Sequence, residues 1–330
     1  MKKKALILAD EAMLSLVFGS KQRALLEELV DVEVFAGDYQ DLDSVLAAME
    51  NVQLLFCTWG MKPLDKNFIA ASTQLEAIFY AAGSIRYIVS DEFWKSGIKI
   101  CSAWAANAIP VAEMTLGLVI LSLKQVFTHS RNCTGPEGYR RLPVAGAYES
   151  TVGLIGMGMI GRHVRELLTN LEVDVLVYDP YLSDAEAKAL GVTKVSLDEL
   201  FTQSDVVSLH APNIPDTRNM IRGGHFRQLK PGATFINTAR GALVHEGELI
   251  EVLQQRKDIT AILDVTNPEP PREGSPLYTL PNVILTPHIA GSMGQECRRM
   301  AQYMVDECRR YLNGEPLLYQ ITQEMIKTMA

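Results

Sequence analysis

The sequence has few cysteines and no cysteine motif. Its five cysteines are scattered along 330 residues, at Cys57, Cys101, Cys133, Cys297 and Cys308. An odd number without Cys-x-x-Cys spacing argues against a disulfide framework and against a zinc or redox motif. The six histidines likewise lack the His-x-x-x-His spacing of metal ligands. We therefore predict a reducing, cytoplasmic compartment and no bound metal.

Positive charge is also scarce. The chain has 31 Lys and Arg against 39 Asp and Glu, which gives a net charge of -8. Binding to nucleic acid depends on clustered Lys and Arg, so no nucleic-acid partner is expected. The one basic run, residues 2–4, precedes an apolar stretch that Asp10 and Glu11 interrupt, which favours a first strand over a secretion signal. The longest apolar helical stretch, near residues 114–123, is too short to cross a bilayer, so we expect no membrane partner.

Short runs rich in β-branched residues alternate with helix-length segments. Buried parallel strands are apolar throughout because helices cover both of their faces. The candidate strands are residues 5–9, 52–57, 75–80 and 98–102, followed by 151–155, 174–178, 206–210, 234–237, 260–263 and 283–286. Strands separated by helices indicate βαβ units. The sequence therefore predicts an α/β protein with two doubly wound parallel sheets.

The length of the chain indicates two domains, because one hydrophobic core rarely grows to 330 residues. An apolar helix predicted over residues 107–124 could carry the chain out of the first domain, and one over 293–312 could bring it back. We predict a discontinuous domain of residues 1–105 and 295–330, with a second domain, 106–294, inserted. Glycines and prolines in residues 131–150 indicate an irregular excursion, and such segments are often functional or buried against a partner.

A glycine motif, Gly156-Met-Gly158-Met-Ile-Gly161, follows the first strand of the second series. Alone, a G-x-G-x-x-G match is weak. Here a strand precedes it, a helical pattern follows it, and the next strand ends at Asp179, 18 residues after Gly161. Gly156 permits a tight turn, Gly158 lets the backbone approach a pyrophosphate, and Gly161 lets the helix pack close to the strand. The free N–H groups at the helix N-terminus would bind the diphosphate.

Asp179 indicates which dinucleotide binds. Its carboxylate can accept hydrogen bonds from the ribose hydroxyls and would repel a 2′-phosphate. The next two residues, Pro180 and Tyr181, bring no cation to neutralise it. The sequence therefore predicts NAD and not NADP. The alternative is a glycine-rich turn that binds nothing, with Asp179 as an ordinary residue at the end of a strand.

Six further motifs occur in a fixed order: residues 106–113 (ANAIPVAE), 207–212 (VSLHAP), 237–241 (NTARG), 263–265 (LDV), 269–270 (EP) and 286–291 (TPHIAG). With the glycine motif, they resemble the D-isomer-specific 2-hydroxyacid dehydrogenases, which include phosphoglycerate dehydrogenases and glyoxylate/hydroxypyruvate reductases. The resemblance covers nearly the whole chain and is densest over residues 103–291. It implies a flavodoxin-like substrate domain, a Rossmann NAD-binding domain, and a homodimer formed through an arm near residues 125–150. It also implies NAD-dependent interconversion of a small D-2-hydroxy acid and its 2-oxo acid.

The resemblance also assigns roles to residues. Arg240 matches the arginine that binds the substrate carboxylate and the reacting oxygen, and a planar guanidinium suits that two-point contact. His288 matches the acid/base, and Glu269 matches the carboxylate paired with it, which favours the imidazolium form that donates a proton. The implied substrate contacts are Ala82, Gly83, Ser84, Arg240 and His288. The implied cofactor contacts are Gly156, Gly158, Met159, Ile160, Gly161, Asp179, Pro180, His210, Ala211, Pro212, Thr217, Thr238, Ala239, Arg240, Asp264, His288, Ala290 and Gly291.

Two of these positions have roles that the sequence leaves open or only implies. His210 follows an apolar strand and precedes Pro212, so it either borders the cofactor or closes a turn. The resemblance places Asp264 beside the nicotinamide, near its carboxamide.

The sequence departs from the family pattern where the substrate is recognised. Many relatives have Gly-x-Asp-Asn-x-Asp after the Ala-Gly turn, whereas residues 83–87 here are GSIRY. Phosphoglycerate dehydrogenases tend to carry an arginine in the loop that here contains Trp59, which offers apolar area to a substrate and no positive charge. Arg86 could still bind a phosphate, and Trp104 could form a second aromatic wall or belong to the core. An unphosphorylated acid and 3-phosphoglycerate both stay open as substrates, and an NAD(H)-sensing, corepressor-like binding protein is the alternative of a different class.

Overall fold

The computed structural model describes residues 2–327, which form two compact units. The first unit contains the chain up to Asn107 and from Ser292 onward, and the second is Ala108–Gly291. The chain therefore leaves the first unit once and returns to it once. Each unit has its own parallel sheet and its own core.

Strands and helices alternate along most of the chain. The strands are β1 (Lys4–Leu8), β2 (Asp31–Val34), β3 (Leu54–Cys57), β4 (Ala77–Tyr80), β5 (Lys99–Ser102), β6 (Tyr148–Ile155), β7 (Glu172–Tyr178), β8 (Thr193–Lys194), β9 (Val206–Leu209), β10 (Thr234–Asn237), β11 (Thr260–Leu263) and β12 (Val283–Leu285). The helices are α1 (Glu11–Val17), α2 (Ser20–Leu29), α3 (Leu42–Ala48), α4 (Lys66–Ala71), α5 (Asp91–Ser96), α6 (Trp104–Leu123), α7 (Val126–Asn132), α8 (Met159–Leu168), α9 (Asp184–Leu190), α10 (Leu197–Gln203), α11 (Gly223–Gln228), α12 (Glu246–Gln255) and α13 (Glu296–Leu312). Short 3-10 turns lie at Pro136–Gly138, Pro215–Thr217, Gly241–Leu243, Pro276–Tyr278 and Met325–Lys327.

The first unit has a five-stranded sheet in the order β2-β1-β3-β4-β5, with every pair parallel. This is the flavodoxin-like order. Successive strand residues point to opposite faces of the sheet. Phe56 and Phe79 accordingly stack in the core that α13 covers, with ring centroids 5.0 Å apart, whereas Leu55 and Ile78 pack into the core on the other face.

The second unit has a seven-stranded parallel sheet in the order β12-β11-β10-β9-β6-β7-β8. The strand order reverses between β6 and β9, as in a Rossmann fold with one additional strand at the β12 edge. In such sheets, ligands bind in the crevice outside the carboxyl ends of the strands at this reversal. The two sheets confirm the predicted fold class.

Two strands were not predicted from the sequence. β2 (DVEV) is short and largely exposed at an edge of its sheet, and β8 has only two residues, also at an edge. Edge strands lack the continuous apolar run on which the prediction relied, because part of their surface faces water. The ten strands that were predicted are all present.

The helix α6 is longer than the apolar stretch of residues 114–123 that was judged too short to cross a bilayer. It has 20 residues and a mean hydropathy of 1.6, so by length and composition it is long enough to cross a membrane. Over half of that stretch, 56%, is buried inside the protein. Ala112, Val119 and Leu123 pack into a core cluster of the second unit. Burial of this kind is typical of a core helix, which explains the apolar sequence.

The predicted irregular excursion begins after α7 and lasts until β6 begins at Tyr148. The side chain of His129 holds this irregular segment in place. Its Nε2 accepts a hydrogen bond from the backbone N–H of Leu142 at 3.0 Å, and its Nδ1 lies 3.0 Å from the carbonyl oxygen of Gln125. One imidazole therefore joins α7 to the middle of the excursion.

Candidate active site

Steric contacts explain two of the three motif glycines. Gly156, directly after β6, has φ +94°, and a Cβ there would lie 2.8 Å from the backbone nitrogen of Ala211. A Cβ on Gly161 would lie 2.2 Å from the carbonyl oxygen of Gly156. Gly158 is different, since a Cβ there would meet no atom of residues 2–327 within 4 Å. Gly158 precedes α8 at its N-terminus, so the backbone is accessible where a pyrophosphate would bind.

Asp179, directly after β7, organises the glycine loop. Its Oδ2 accepts a hydrogen bond from the backbone N–H of Met157 at 2.7 Å, and its Oδ1 accepts one from Tyr181 at 2.8 Å. Sequence reasoning had assigned this carboxylate only to the ribose. Each carboxylate oxygen can accept more than one hydrogen bond, so the ribose role stays compatible with these contacts.

His210, directly after β9, is buried and electrically neutral at physiological pH. Its Nε2 lies 2.9 Å from the hydroxyl of Ser208, and burial lowers the pKa of the imidazole to about 4. Its Nδ1 has no hydrogen-bond partner in the described part of the chain. The same is true of the buried hydroxyl of Thr238, which follows β10. Buried polar atoms are normally paired, so these two fit a polar ligand bound at the carboxyl ends of β9 and β10.

Thr217 closes the loop that follows His210. Its hydroxyl donates to the carbonyl oxygen of Pro212 at 2.5 Å and accepts from the backbone N–H of Ile214 at 3.0 Å. The structure therefore gives Thr217 a role in shaping the loop, in addition to the cofactor contact that the resemblance implied.

Arg240 lies on a tight turn after β10. The side chain of Asn237 fixes the turn, because it donates to the carbonyl oxygen of Arg240 at 3.1 Å and accepts from the N–H of Ala239 at 3.0 Å. Arg240 Nη1 donates to the carbonyl oxygen of Ala239 at 2.6 Å, and no carboxylate among the described side chains forms an ion pair with it. A guanidinium has five N–H donors, so most of them are available to a ligand.

Gly241 brings this turn against the loop that follows β11. A Cβ on Gly241 would lie 2.0 Å from the backbone carbon of Thr266. Only glycine permits so close an approach of two backbones. The position of Arg240 is therefore tied to the β11 loop by direct backbone packing.

Asp264, directly after β11, holds the loop that carries His288. Its Oδ1 accepts from the hydroxyl of Thr286 at 2.5 Å and the N–H of Ile289 at 2.9 Å, and its Oδ2 accepts from the N–H of Ala290 at 2.9 Å. The carboxylate is only 2% exposed, and a buried charge requires such donors. Sequence reasoning missed this role, because the sequence does not show which N–H groups the carboxylate meets.

His288 and Glu269 form a close pair. Nδ1 of His288 lies 2.6 Å from Oε1 of Glu269, and both side chains are nearly half exposed, at 46% and 41%. Since a carboxylate only accepts, Nδ1 carries a proton and donates it. The second ring nitrogen, Nε2, makes no hydrogen bond to any residue from 2 to 327, so it is available to a ligand.

The residues predicted for cofactor and catalysis in the second unit follow the carboxyl ends of neighbouring strands. Asn237 of β10 pairs with Leu263 of β11, and Leu263 pairs with Leu285 of β12. Arg240, Asp264 and His288 come one to three residues after these positions. The structure therefore brings Arg240 and the histidine–glutamate pair to one edge of one sheet, the edge that the glycine loop also occupies.

In the first unit, the predicted substrate loop follows β4. The hydroxyl of Ser102 donates to the carbonyl oxygens of Ala82, at 2.9 Å, and Gly83. The backbone N–H groups of Gly83 and Ser84 meet no acceptor among the described residues. Two adjacent N–H groups without acceptors are suited to bind a carboxylate. No group of three or more His, Cys, Asp or Glu side chains suited to a metal ion occurs between residues 2 and 327.

Comparison with known proteins agrees with the family resemblance of the sequence motifs. Residues 116–290 match the family model described as "D-isomer specific 2-hydroxyacid dehydrogenase, NAD binding domain". The chain is 31% identical over 293 residues to a D-3-phosphoglycerate dehydrogenase of Methanocaldococcus jannaschii, covering 88% of this chain and 55% of the relative. It is 33% identical over 263 residues to YoaD of Bacillus subtilis, whose name assigns it provisionally to the 2-hydroxyacid dehydrogenases, covering 77% of this chain and 68% of the relative.

The fold also matches a solved structure. The apo form of D-mandelate dehydrogenase from Rhodotorula graminis superposes with a TM-score of 0.83 at 22% identity, covering 98% of each chain. At this identity the match shows the fold. The chain spans about half the length of the curated phosphoglycerate dehydrogenases that it matches.

Proposed function

The chain belongs to the D-isomer-specific 2-hydroxyacid dehydrogenase family, and we propose that it interconverts a small D-2-hydroxy acid and its 2-oxo acid with NAD. The observation that carries the proposal is the pair of His288 and Glu269 at the sheet edge that also bears Arg240. A proton donor and a carboxylate-binding guanidinium are the two groups that this reaction requires from the protein.

The second unit has residues suited to hold NAD. The accessible backbone at Gly158 and the N-terminus of α8 suit the diphosphate, and Asp179 suits the adenosine ribose. The unpaired Nδ1 of His210 and hydroxyl of Thr238 suit polar groups of the cofactor. When bound, NAD supplies the hydride acceptor, and NADH supplies the hydride.

Arg240 and His288 would act on the acid. Arg240 binds the carboxylate and the carbonyl oxygen through its planar fork, which polarises the carbonyl bond. His288 gives the proton on Nε2 to the carbonyl oxygen during reduction and takes it back during oxidation. Glu269 orients the ring and fixes the tautomer through Nδ1. The free N–H groups of Gly83 and Ser84 in the first unit are also suited to a carboxylate.

A panel of 2-oxo acids with NADH, followed by NADH absorbance, tests the proposal. The panel contains glyoxylate, pyruvate, hydroxypyruvate and phosphohydroxypyruvate, and we expect turnover of at least one. Arg240→Lys keeps the charge but loses the fork, so kcat/KM should fall about 100-fold. Arg227→Lys, an exposed arginine of the same unit, is the matched control and should retain activity. Absence of turnover with every 2-oxo acid would contradict the proposed reaction.

Two other functions would give different results in the same assay. Phosphoglycerate dehydrogenase activity is the second candidate because several curated relatives carry that name at about 30% identity. It requires phosphohydroxypyruvate to be preferred over the unphosphorylated acids. Tight NADH binding without turnover, together with NADH-dependent oligomerisation, would instead indicate an NAD(H)-sensing, corepressor-like protein.

We also propose that the chain forms a homodimer through the segment around residues 125–150. Two large side chains there are strongly exposed, Tyr139 at 84% and Tyr148 at 62%. Exposed aromatic surface of this kind is enriched at protein interfaces. Light scattering of the purified protein tests this, and a monomer at micromolar concentration would contradict it.

A further inference from the structure

The loop of residues 266–271, called the Glu269 loop here, offers few backbone donors to the rest of the protein. Positions 268, 270 and 271 are prolines, which have no backbone N–H. N–H groups therefore exist only at Thr266, Asn267 and Glu269. Within residues 2–327, the N–H of Asn267 is the one of these three that meets an acceptor, a carboxylate oxygen of Glu246. The N–H groups of the described loop thus make one hydrogen bond to another element.

The acceptor, Glu246, is the first residue of α12. Its Oε2 lies 3.1 Å from the backbone nitrogen of Asn267. The start of α12 is itself held in place at His245, whose Nδ1 accepts from the N–H of Glu248 at 3.3 Å and whose N–H donates to the carbonyl oxygen of Ile221 at 2.9 Å. The carboxylate of Glu246 therefore extends from a fixed helix end to the Glu269 loop.

The surroundings of Glu246 strengthen this contact. Burial raises the pKa of its carboxyl group, whereas the N–H of Asn267 and the positive charge of Arg272 act in the opposite direction. A hydrogen bond to a partly desolvated acceptor is stronger than the same bond in water. An acidic side chain at this position would also interact favourably with the helix macrodipole, but Glu248 in the same turn already does so.

The geometry of the catalytic pair depends on the backbone of the Glu269 loop. Oε1 of Glu269 lies 2.6 Å from Nδ1 of His288, and both side chains are nearly half exposed, so packing alone does not fix their orientation. The loop backbone is held at Thr266, which packs closely against Gly241, and one residue later by Glu246. Glu269 follows two residues after that hydrogen bond.

We propose that Glu246 is a positioning residue for the proton transfer, because it holds the Glu269 loop where Glu269 orients the imidazole of His288. The inference rests on the proposed function, in which His288 transfers the proton. Glu246 acts through the N–H of Asn267 and not on the substrate. A displacement of about 1 Å at a reacting group can cost about 100-fold in rate. Since the loop keeps its packing at Thr266, loss of one hydrogen bond should cost less than that.

The first experiment measures kcat with the 2-oxo acid that the wild type reduces best. Glu246→Ala removes the acceptor, so kcat should fall about 10-fold, while KM for the acid and the Kd for NADH should hardly change. Glu246→Gln keeps an oxygen acceptor and should recover most of this loss. Both variants remove the same charge from the first turn of α12, so an effect of the helix macrodipole would be equal in the two.

Glu251→Ala, at an exposed position of the same helix, is the matched control and should behave as wild type. Equal losses of kcat in Glu246→Ala and Glu246→Gln, or no loss in Glu246→Ala, would overturn the inference.

A double variant tests whether Glu246 acts through Glu269. In Glu269→Ala, the carboxylate that Glu246 positions is absent. Addition of Glu246→Ala to this variant should therefore lower kcat by less than about twofold. If the two losses multiply instead, Glu246 affects the reaction by another route and the inference is wrong.

The last experiment does not depend on turnover. By NMR, the backbone N–H of Asn267 should exchange with solvent faster in Glu246→Ala than in the wild type or Glu246→Gln. The ¹⁵N chemical shifts of the His288 ring, measured while the ring is neutral, show which nitrogen carries the proton. The proton should be on Nδ1 in the wild type and partly on Nε2 in Glu246→Ala.

The outcomes separate the positioning role from the reaction. Unchanged exchange at Asn267, or an unchanged tautomer of His288 in Glu246→Ala, overturns the inference. Both changes in a protein that reduces no 2-oxo acid support the positioning role and contradict only the proposed reaction. Reduction of an acid by a protein that shows neither change supports the reaction and overturns the role of Glu246.

Discussion

Nδ1 of His288 lies 2.6 Å from Oε1 of Glu269, although the two residues come from loops after different strands. Both side chains are nearly half exposed, and ion pairs of that kind contribute little to stability. The contact instead orients the imidazole ring of His288, because it turns Nε2 away from Glu269. His288 also has φ +56°, which non-glycine residues rarely adopt. Asp264 maintains that conformation through hydrogen bonds to the residues on either side of His288.

Replacement of the imidazole should abolish the proton transfer while sparing the cofactor site. His288→Gln should lower kcat about 1000-fold, because an amide cannot donate a proton near neutral pH. The Kd for NADH, measured by fluorescence titration, should stay within a factor of about two or three of wild type. His163→Gln, whose imidazole pairs with Glu166, serves as the control. Undiminished turnover in His288→Gln would remove this residue from the mechanism.

Loss of the charge at Glu269 should have a smaller effect of the same kind. Glu269→Gln keeps an acceptor for Nδ1–H but removes the negative charge beside the ring that has to carry the transferred proton. We expect kcat to fall about 10- to 100-fold with little change in KM. If KM rises while kcat stays constant, Glu269 contributes to substrate binding and not to the proton transfer.

The carboxylate of Asp179 should determine the choice between NAD and NADP. In Asp179→Asn the repulsion of a 2′-phosphate is gone, while the amide oxygen can still accept from the N–H of Met157. The ratio of kcat/KM for NADH to that for NADPH should therefore fall at least about 10-fold. Asp174→Asn, an exposed position earlier on β7, is the control. A ratio equal to that of the wild type would refute the role of Asp179.

Local patterns in the sequence predicted the strands and the glycine motif. A run such as residues 260–263 is apolar because helices cover both faces of its strand. The effect of this burial is therefore visible in consecutive residues of the sequence. Gly161 was identifiable because its steric contact, with Gly156, lies within one strand–turn–helix unit, and Gly156 because the tight turn with φ +94° belongs to the same unit. The order of the motifs between residues 106 and 291 also indicated the family to which the chain belongs.

Contacts between distant segments were not predictable in the same way. Gly241 meets Thr266 because β10 and β11 are neighbours in the sheet, and Tyr319 meets Trp104 because the chain returns to β5 after more than 200 residues. Nothing at residue 241 or residue 319 indicates its partner. Asp264 was assigned to the cofactor for the same reason, since its bonds to Ile289 and Ala290 depend on the pairing of β11 with β12.

A methyl group at residue 241 should disturb both stability and activity. The Cβ of Gly241→Ala would lie 2.0 Å from the backbone carbon of Thr266, so one of the two loops must move. Overpacking of this kind lowers the free energy of unfolding by about 1–3 kcal/mol, and the displaced Arg240 should raise KM for the acid. In Gly224→Ala, in α11, the Cβ meets no described atom within 4 Å, so the control should unfold no more easily than wild type. Equal unfolding midpoints in urea for the two variants would contradict the contact.

The pH dependence of stability should report on His210. Burial lowers the pKa of its imidazole from 6.5 to about 4, so between these pH values the unfolded chain binds a proton that the folded chain does not. Stability due to this residue is therefore fully present above the unfolded pKa and decreases as the pH falls toward the folded one. Between about pH 7 and about pH 5 the free energy of unfolding should fall by about 2 kcal/mol from His210 alone.

Urea unfolding of the wild type and of His210→Gln at these two pH values separates this contribution from that of other groups. A glutamine does not titrate, so the variant should lose about 2 kcal/mol less than the wild type between the two conditions. Ser208→Ala, which removes the hydroxyl 2.9 Å from Nε2 but leaves the imidazole buried, should keep most of the pH dependence. If His210→Gln loses as much stability as the wild type, the imidazole is already accessible to protons in the folded state, and the unpaired Nδ1 is solvated instead of reserved for a ligand.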